Sequence, residues 1–295
     1  MILSSQNDNL SAALGQEAAI DIMKEAGYDA IDMSLFCMSN DNDVFNSSAY
    51  KSRTLEIAAY AKQKGIYFNQ SHVPFTFRWS NPNEYEERFF PRQIRGLEIT
   101  ALIGAKIAIV HPIHHYEYKG NEEALFEQNM KFYRELLPYA KEFDVKIALE
   151  NMWQVDRKRK YNSDDVCSRA TEFARYIDAL DDEHFVACLD LGHCGLIGEE
   201  AEDTIRILGH DRLKALHVHD NDYRSDMHTL PFLQHMNWDA IMKALADIRY
   251  DGDLTFEADN FLSHFPNDFK PRAVKFMVDT GRYLIGMYDK HLANS

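Results

Sequence analysis

At 295 residues, 45% of them apolar, the chain can bury a large core. Its formal charge of −15 at pH 7 disfavours a broad surface that tracks phosphates, because nucleic-acid binders draw affinity from Lys and Arg displacing counterions. No run approaches the roughly 18 apolar residues of a membrane span, and no basic segment with an apolar core opens the chain, so it reads as a cytoplasmic protein bound to neither nucleic acid nor membrane.

Strand-like and helix-like segments alternate from the first residue. Met1–Ser4 is a first strand, and after Gly15 a helix carries Ile20, Met23 and Ala26 on one stripe before stopping at Gly27. The second strand is Ala30–Phe36, followed by a helix over Ala49–Lys64 that stops at Gly65. The third is Ile66–His72, followed by a helix over Glu84–Ile103 that stops at Gly104. Lys106–His111 is the fourth strand and Glu122–Phe143 its helix. Lys146–Asn151 is the fifth, with a helix from Asp164 whose stripe is Val166, Ala170, Phe173, Ile177 and Leu180. Val186–His193 is the sixth, with a short helix over Ala201–Leu208. Leu213–Asp220 is the seventh, with a helix from Trp238, and Asp253–Asp259 the eighth, with a helix after Pro271. Eight βα units recurring at roughly 28 to 40 residues predict one (β/α)₈ barrel domain over residues 1–295. An open doubly wound sheet is the weaker fit, since no Gly-x-Gly-x-x-Gly follows the first strand. The four cysteines, Cys37, Cys167, Cys188 and Cys194, show no paired spacing and read as free thiols.

In such a barrel, ligands bind where strands end and βα loops begin. Four consecutive apolar runs end in metal-capable side chains: Glu150, Asp190, His217 and Glu257. A bare carboxylate at the end of a buried strand needs a partner, and these four would meet at one mouth. Three carboxylates and one imidazole suit a single divalent ion, Mn²⁺ foremost, with Mg²⁺, Co²⁺ or Zn²⁺ as alternatives. Phe36, Phe75, Phe77, Trp79 and Trp153 follow strands two, three and five, as walls against a small carbohydrate or as packing of the rim. The run Arg157–Lys160 reads as a solvated face or a contact for a phosphorylated sugar.

The motifs Leu149-Glu150-Asn151, Asp190-Leu191-Gly192-His193, His217-Val218-His219-Asp220 and Phe256-Glu257 resemble those of the xylose isomerase-like barrels, which include ketose 3-epimerases, hydroxypyruvate isomerases and endonuclease IV. The resemblance covers nearly the whole chain. It implies a metal-dependent sugar or sugar-phosphate isomerase or epimerase, with Glu150 and Glu257 exchanging a proton through an enediolate and His193 on a substrate oxygen. The epimerases carry a substrate-gripping Arg after the strand-seven His; here that place falls on Tyr223, with Arg224 next. His72, His111, Asp226 and His228 match the positions that complete the three-zinc phosphodiesterase site of endonuclease IV, and otherwise line the pocket of a sugar enzyme. A carbohydrate-binding barrel without turnover, or a lyase subunit, is the third implied reading. A homo-oligomer is compatible with all three.

Overall fold

The computed structural model describes residues 1–76 and 81–294. The expected aromatic residues Phe77 and Trp79 lie outside these. Among the described residues, ten strands follow in the order β1 (Leu3–Ser5), β2 (Ala30–Ser34), β3 (Tyr67–His72), β4 (Ile107–Val110), β5 (Lys146–Glu150), β6 (Trp153–Val155), β7 (Asn162–Asp164), β8 (Phe185–Asp190), β9 (Leu213–His217) and β10 (Leu254–Phe256). The strands β2-β3-β4-β5-β8-β9 form one curled parallel sheet, and β1 pairs in parallel with β10. Two parallel bridges, Gln6 with Asp32 and Val218 with Phe256, join the two pieces into a closed ring. The barrel expected from the sequence is therefore the fold.

Helices Gln16–Ala26, Tyr50–Lys64, Phe90–Leu102, Glu122–Phe143, Ala170–Leu180, Ala201–Arg212, Trp238–Asp247 and Lys270–Ala293 alternate with the barrel strands. Gly27 and Gly65 end two of them in the left-handed conformation, at φ 105° and 73°, where a Cβ would be strained. Between the strands and this outer layer lies the large apolar core. A second, small core of Ile109, Ala148, Val186, Cys188 and Ala215 fills the barrel interior.

Several local features differ from the sequence expectation, among them a π-helical turn, Tyr85–Phe89, within the expected helix Glu84–Ile103. The loop after β5 folds into an antiparallel hairpin, β6 with β7, so Asp164 pairs opposite Trp153 and the helix starts only at Ala170. The sixth barrel strand stops at Asp190, where a short helix, Leu191–Leu196, begins; the Asp190 carboxylate caps it by accepting from the His193 amide at 2.9 Å. A further helix, Asp8–Leu14, precedes Gln16–Ala26, and Gly15 breaks the two at φ 89°. Among the described residues, no helix is long and apolar enough to cross a membrane, and all four cysteines are free.

Strand periodicity connects fold and site. Side chains two residues apart share a face, so the small interior core continues along the same rows into functional groups: Ile109 to His111, Ala148 to Glu150, Cys188 to Asp190, Ala215 to His217 and His219. On the β1, β2, β3 and β10 side the interior is polar instead. There Ser4 donates to Thr255 at 2.8 Å and Gln70 to Asp32 at 3.0 Å.

Candidate metal centre

Glu150, Asp190, His217 and Glu257 meet at the C-terminal mouth of the barrel, each offering a donor atom within 4.8 Å of the others. All four are buried. His217 Nδ1 lies 3.1 Å from Glu150 Oε1 and 3.1 Å from Glu257 Oε2, while its Nε2 is 3.5 Å from Asp32 Oδ2. Gln6, just after β1, reaches across and donates to Glu257 Oε1 at 2.8 Å. Asn151 locks the backbone of Asp190, accepting from its amide at 2.8 Å and donating to its carbonyl at 2.9 Å.

Two flanking groups of donors extend this centre. On one side His72 Nε2 and His111 Nε2 face each other at 3.0 Å and lie 3.4 and 2.9 Å from Glu150 Oε2. On the other side Asp190, His193, His219 and His228 bring donors within 4.8 Å of one another. His193 donates from Nδ1 to the Asn151 carbonyl at 2.7 Å, which turns Nε2 toward Asp226 Oδ2 at 3.5 Å. His228 donates from Nδ1 to the Glu257 carbonyl at 2.8 Å and presents Nε2 to Asp226 Oδ1 at 3.2 Å. The Trp153 indole donates to Asp226 Oδ2 at 3.3 Å. Phe36 stacks on Phe75 at 4.0 Å and meets the edge of His72 at 4.5 Å, forming an aromatic wall.

The electrostatics are those of a crowded carboxylate–imidazole cluster. Burial opposes charge on Glu150 and Glu257, yet the neighbouring imidazoles, His217 foremost, hold both below the usual carboxylate range. Burial likewise opposes charge on His217, and the Glu257 and Glu150 carboxylates nevertheless hold it well above the usual imidazole value. His193 is held up at about 10 against burial by Asp190 and Asp226. His111 goes the other way: burial pushes it down to about 4, outweighing the attraction of Glu150.

A divalent ion fits these residues. Among the described residues, Asp32 Oδ1 and His217 Nε2 are buried at this centre without a hydrogen bond, and the only close partners of Glu150 Oε2 and Asp226 Oδ1 are imidazole nitrogens, the nearest being His111 Nε2 at 2.9 Å and His228 Nε2 at 3.2 Å. Buried carboxylate oxygens need cationic or donor partners, and a divalent ion is one that this cluster can accommodate. The oxygen-rich set with one imidazole matches hard or borderline divalent ions.

Of the residues expected at the mouth from the sequence, Glu150, Asp190, His217, Glu257, His193, His72, His111, Asp226, His228, Trp153 and Phe36 converge. Arg224 does not join them. Its amide and that of Ser225 donate to Asp222 Oδ1, at 3.0 and 2.7 Å, and this turn leaves Arg224 exposed while Asp226 and His228 face inward. The run Arg157–Lys160 is likewise at the exposed hairpin tip. Sequence reasoning assigned no role to His219, Asp32 or Gln6. The available signal was strand parity, since His219 shares a face with His217 and Gln6 with Ser4.

Comparison with known proteins agrees with the barrel fold. The family model described as a xylose isomerase-like TIM barrel matches residues 20–276. An uncharacterised protein of Sinorhizobium fredii, y4fM, is 30% identical over 164 residues, 55% of this chain and 50% of that protein, so the chain matches half the length of that relative. A D-tagatose 3-epimerase-like protein superposes with a TM-score of 0.74 at 15% identity, covering 98% of this chain and 99% of its own. An L-ribulose 3-epimerase gives 0.73 at 17%, covering 99% and 96%. The IolI protein with a bound zinc atom gives 0.70 at 14%, covering 99% of each chain.

Proposed function

The chain belongs to the xylose isomerase-like TIM barrel family, and from that premise we propose that it is a divalent-cation-dependent isomerase or epimerase of a small sugar. The observation that carries this is the convergence of Glu150, Asp190, His217 and Glu257 within 4.8 Å at the barrel mouth. These four would hold the ion, with Mn²⁺ the best match to three carboxylates and an imidazole. When bound, the ion supplies Lewis acidity to a carbonyl and its adjacent hydroxyl, which acidifies the C–H between them.

Glu150 ends β5 and Glu257 follows β10, two strands separated around the ring by β8 and β9. One carboxylate takes the proton from carbon and the other, approaching from another direction, returns it. Return to the same carbon from the opposite face is epimerisation; return to the neighbouring carbon is isomerisation. His193, with Nδ1 tied to a carbonyl, offers Nε2 to a substrate oxygen, and His72, His111, Asp226 and His228 hold further hydroxyls. Phe36 and Trp153 give the sugar ring two flat walls.

A second reading rests on its own observation. Asp190 is shared between the central cluster and the group His193, His219 and His228, and Glu150 between that cluster and His72, so the donors suffice for more than one ion. A multinuclear zinc hydrolase of phosphodiesters would use them all. The charge of −15 opposes a nucleic-acid substrate for it.

Incubating the protein and Mn²⁺ with a panel of free and phosphorylated ketoses in D₂O tests the proposal. Deuterium at the carbon beside the carbonyl, with one ion per chain, is the expected result. No exchange with any ketose, together with two or three bound zinc ions and hydrolysis of a phosphodiester, would replace it by the second reading.

A further inference from the structure

Asp190 is a ligand of the proposed centre, and its closest ring partner has no part in the isomerase roles above. His219 is fully buried just past β9, two residues beyond His217. Its Nε2 lies 2.9 Å from Asp190 Oδ1 and 3.1 Å from Oδ2. Oδ1 also accepts the His193 amide at 2.9 Å. Two donors thus converge on Oδ1, which leaves Oδ2 as the oxygen freer to face a cation.

The chain makes room for this ring. A Cβ on Gly192 would collide with three atoms of the His219 imidazole, so position 192 has space only for glycine while His219 is in place. On its other face His219 stacks on His228 at 4.0 Å with an interplanar angle of 13°. Its Nδ1 is buried without a hydrogen bond. That unmet nitrogen is unfavourable, so apolar packing alone does not account for an imidazole here. The ring's other nitrogen, Nε2, is the one that grips Asp190.

We propose that His219 is a positioning residue of the cation site: its Nε2–H donates to Asp190 and fixes which carboxylate oxygen faces the ion, and Gly192 provides the clearance that lets it do so. The proposal rests on the reading of Glu150, Asp190, His217 and Glu257 as the ligands of that ion. Partners that orient a ligand in this way are typically worth about 10- to 100-fold in metal affinity.

The test is calorimetric titration of the metal-stripped protein with Mn²⁺, for wild type, His219→Ala, His219→Gln, Gly192→Ala and the Gly192→Ala/His219→Ala double variant. His219→Ala should weaken the tightest site by about 10- to 100-fold without changing its stoichiometry. His219→Gln, whose amide can donate to the same carboxylate, should recover most of that loss. Gly192→Ala should weaken binding similarly, and the double variant should be no weaker than His219→Ala, because the clash disappears with the ring. Thermal melts of the metal-free variants separate these effects from misfolding, and His219→Gln and Gly192→Ala keep the test open if His219→Ala fails to fold. Affinity of His219→Ala within twofold of wild type, fewer ions bound with the remainder unweakened, no recovery by Gln, or additive losses in the double variant would each overturn the proposal. Absence of Mn²⁺ binding by the wild type would instead remove the ligand reading beneath it.

Discussion

Replacing Glu172 by Gln should stabilise the protein at alkaline pH and leave it little changed in acid. Glu172 opens the helix Ala170–Leu180, where Tyr118 donates to its Oε1 at 2.7 Å while its Oε2 is buried without a hydrogen bond. Burial, which outweighs the Tyr118 hydrogen bond, raises its pKa from 4.5 to about 7. The folded state therefore holds this proton more tightly than the unfolded chain does. The resulting stability is fully present below about pH 4.5 and is lost as the pH rises to about 7. A shift of this size corresponds to a ceiling of about 3 kcal/mol, and solvent at the partly exposed carboxyl trims it to about 1–2 kcal/mol. A neutral amide keeps an oxygen for Tyr118 and does not ionise. Urea midpoints of wild type and Glu172→Gln at pH 5 and pH 8, in EDTA to exclude cation binding, read the effect directly. The gap should widen in favour of the variant at pH 8. Equal gaps at both pH values, or a variant less stable at pH 8, would refute the reasoning.

Glu150→Gln should abolish exchange of the substrate C–H with solvent, a loss of about 10²-fold or more, with the far-ultraviolet circular dichroism unchanged; exchange at the wild-type rate would remove Glu150 from the proton path. Phe36→Ala removes the ring stacked on Phe75 and should raise KM for the sugar by about 2- to 10-fold with kcat and metal content unchanged. An unaltered KM would return that wall to simple packing of the rim.

The barrel was legible because its units repeat a strong pattern. An apolar run of strand length, a helix with one apolar stripe and a closing glycine recur, and Gly27 and Gly65 adopt the left-handed conformation that such closure requires. The meeting of four metal-capable side chains at the mouth was legible for a related reason. Carboxylates and an imidazole at corresponding ends of apolar strands have no inexpensive structural role, and Glu150, Asp190, His217 and Glu257 do meet.

What escaped the sequence depends on contacts between distant segments. Nothing local distinguishes Trp153–Val155 and Asn162–Asp164 from a polar loop, because the pairing that makes them a hairpin is their own mutual register. The apolar stripe through Val166 suggested a helix from Asp164, but Asp164 is held in that hairpin and Cys167 takes φ 60°, so helical geometry begins at Ala170. Arg224 follows the strand-seven histidine closely enough in sequence to suggest a role at the mouth; the turn made by Asp222 directs it to solvent. His219 lay within a recognised motif, yet its partner Asp190 is 29 positions away and their contact appears only once β8 and β9 pair.

The central claim is most directly tested by locating the cation: anomalous diffraction at the manganese edge from crystals grown with Mn²⁺. The expected result is a peak bonded to oxygens of Glu150, Asp190 and Glu257 and to a nitrogen of His217. A tightly bound ion found elsewhere, with those four side chains still paired among themselves, would contradict it.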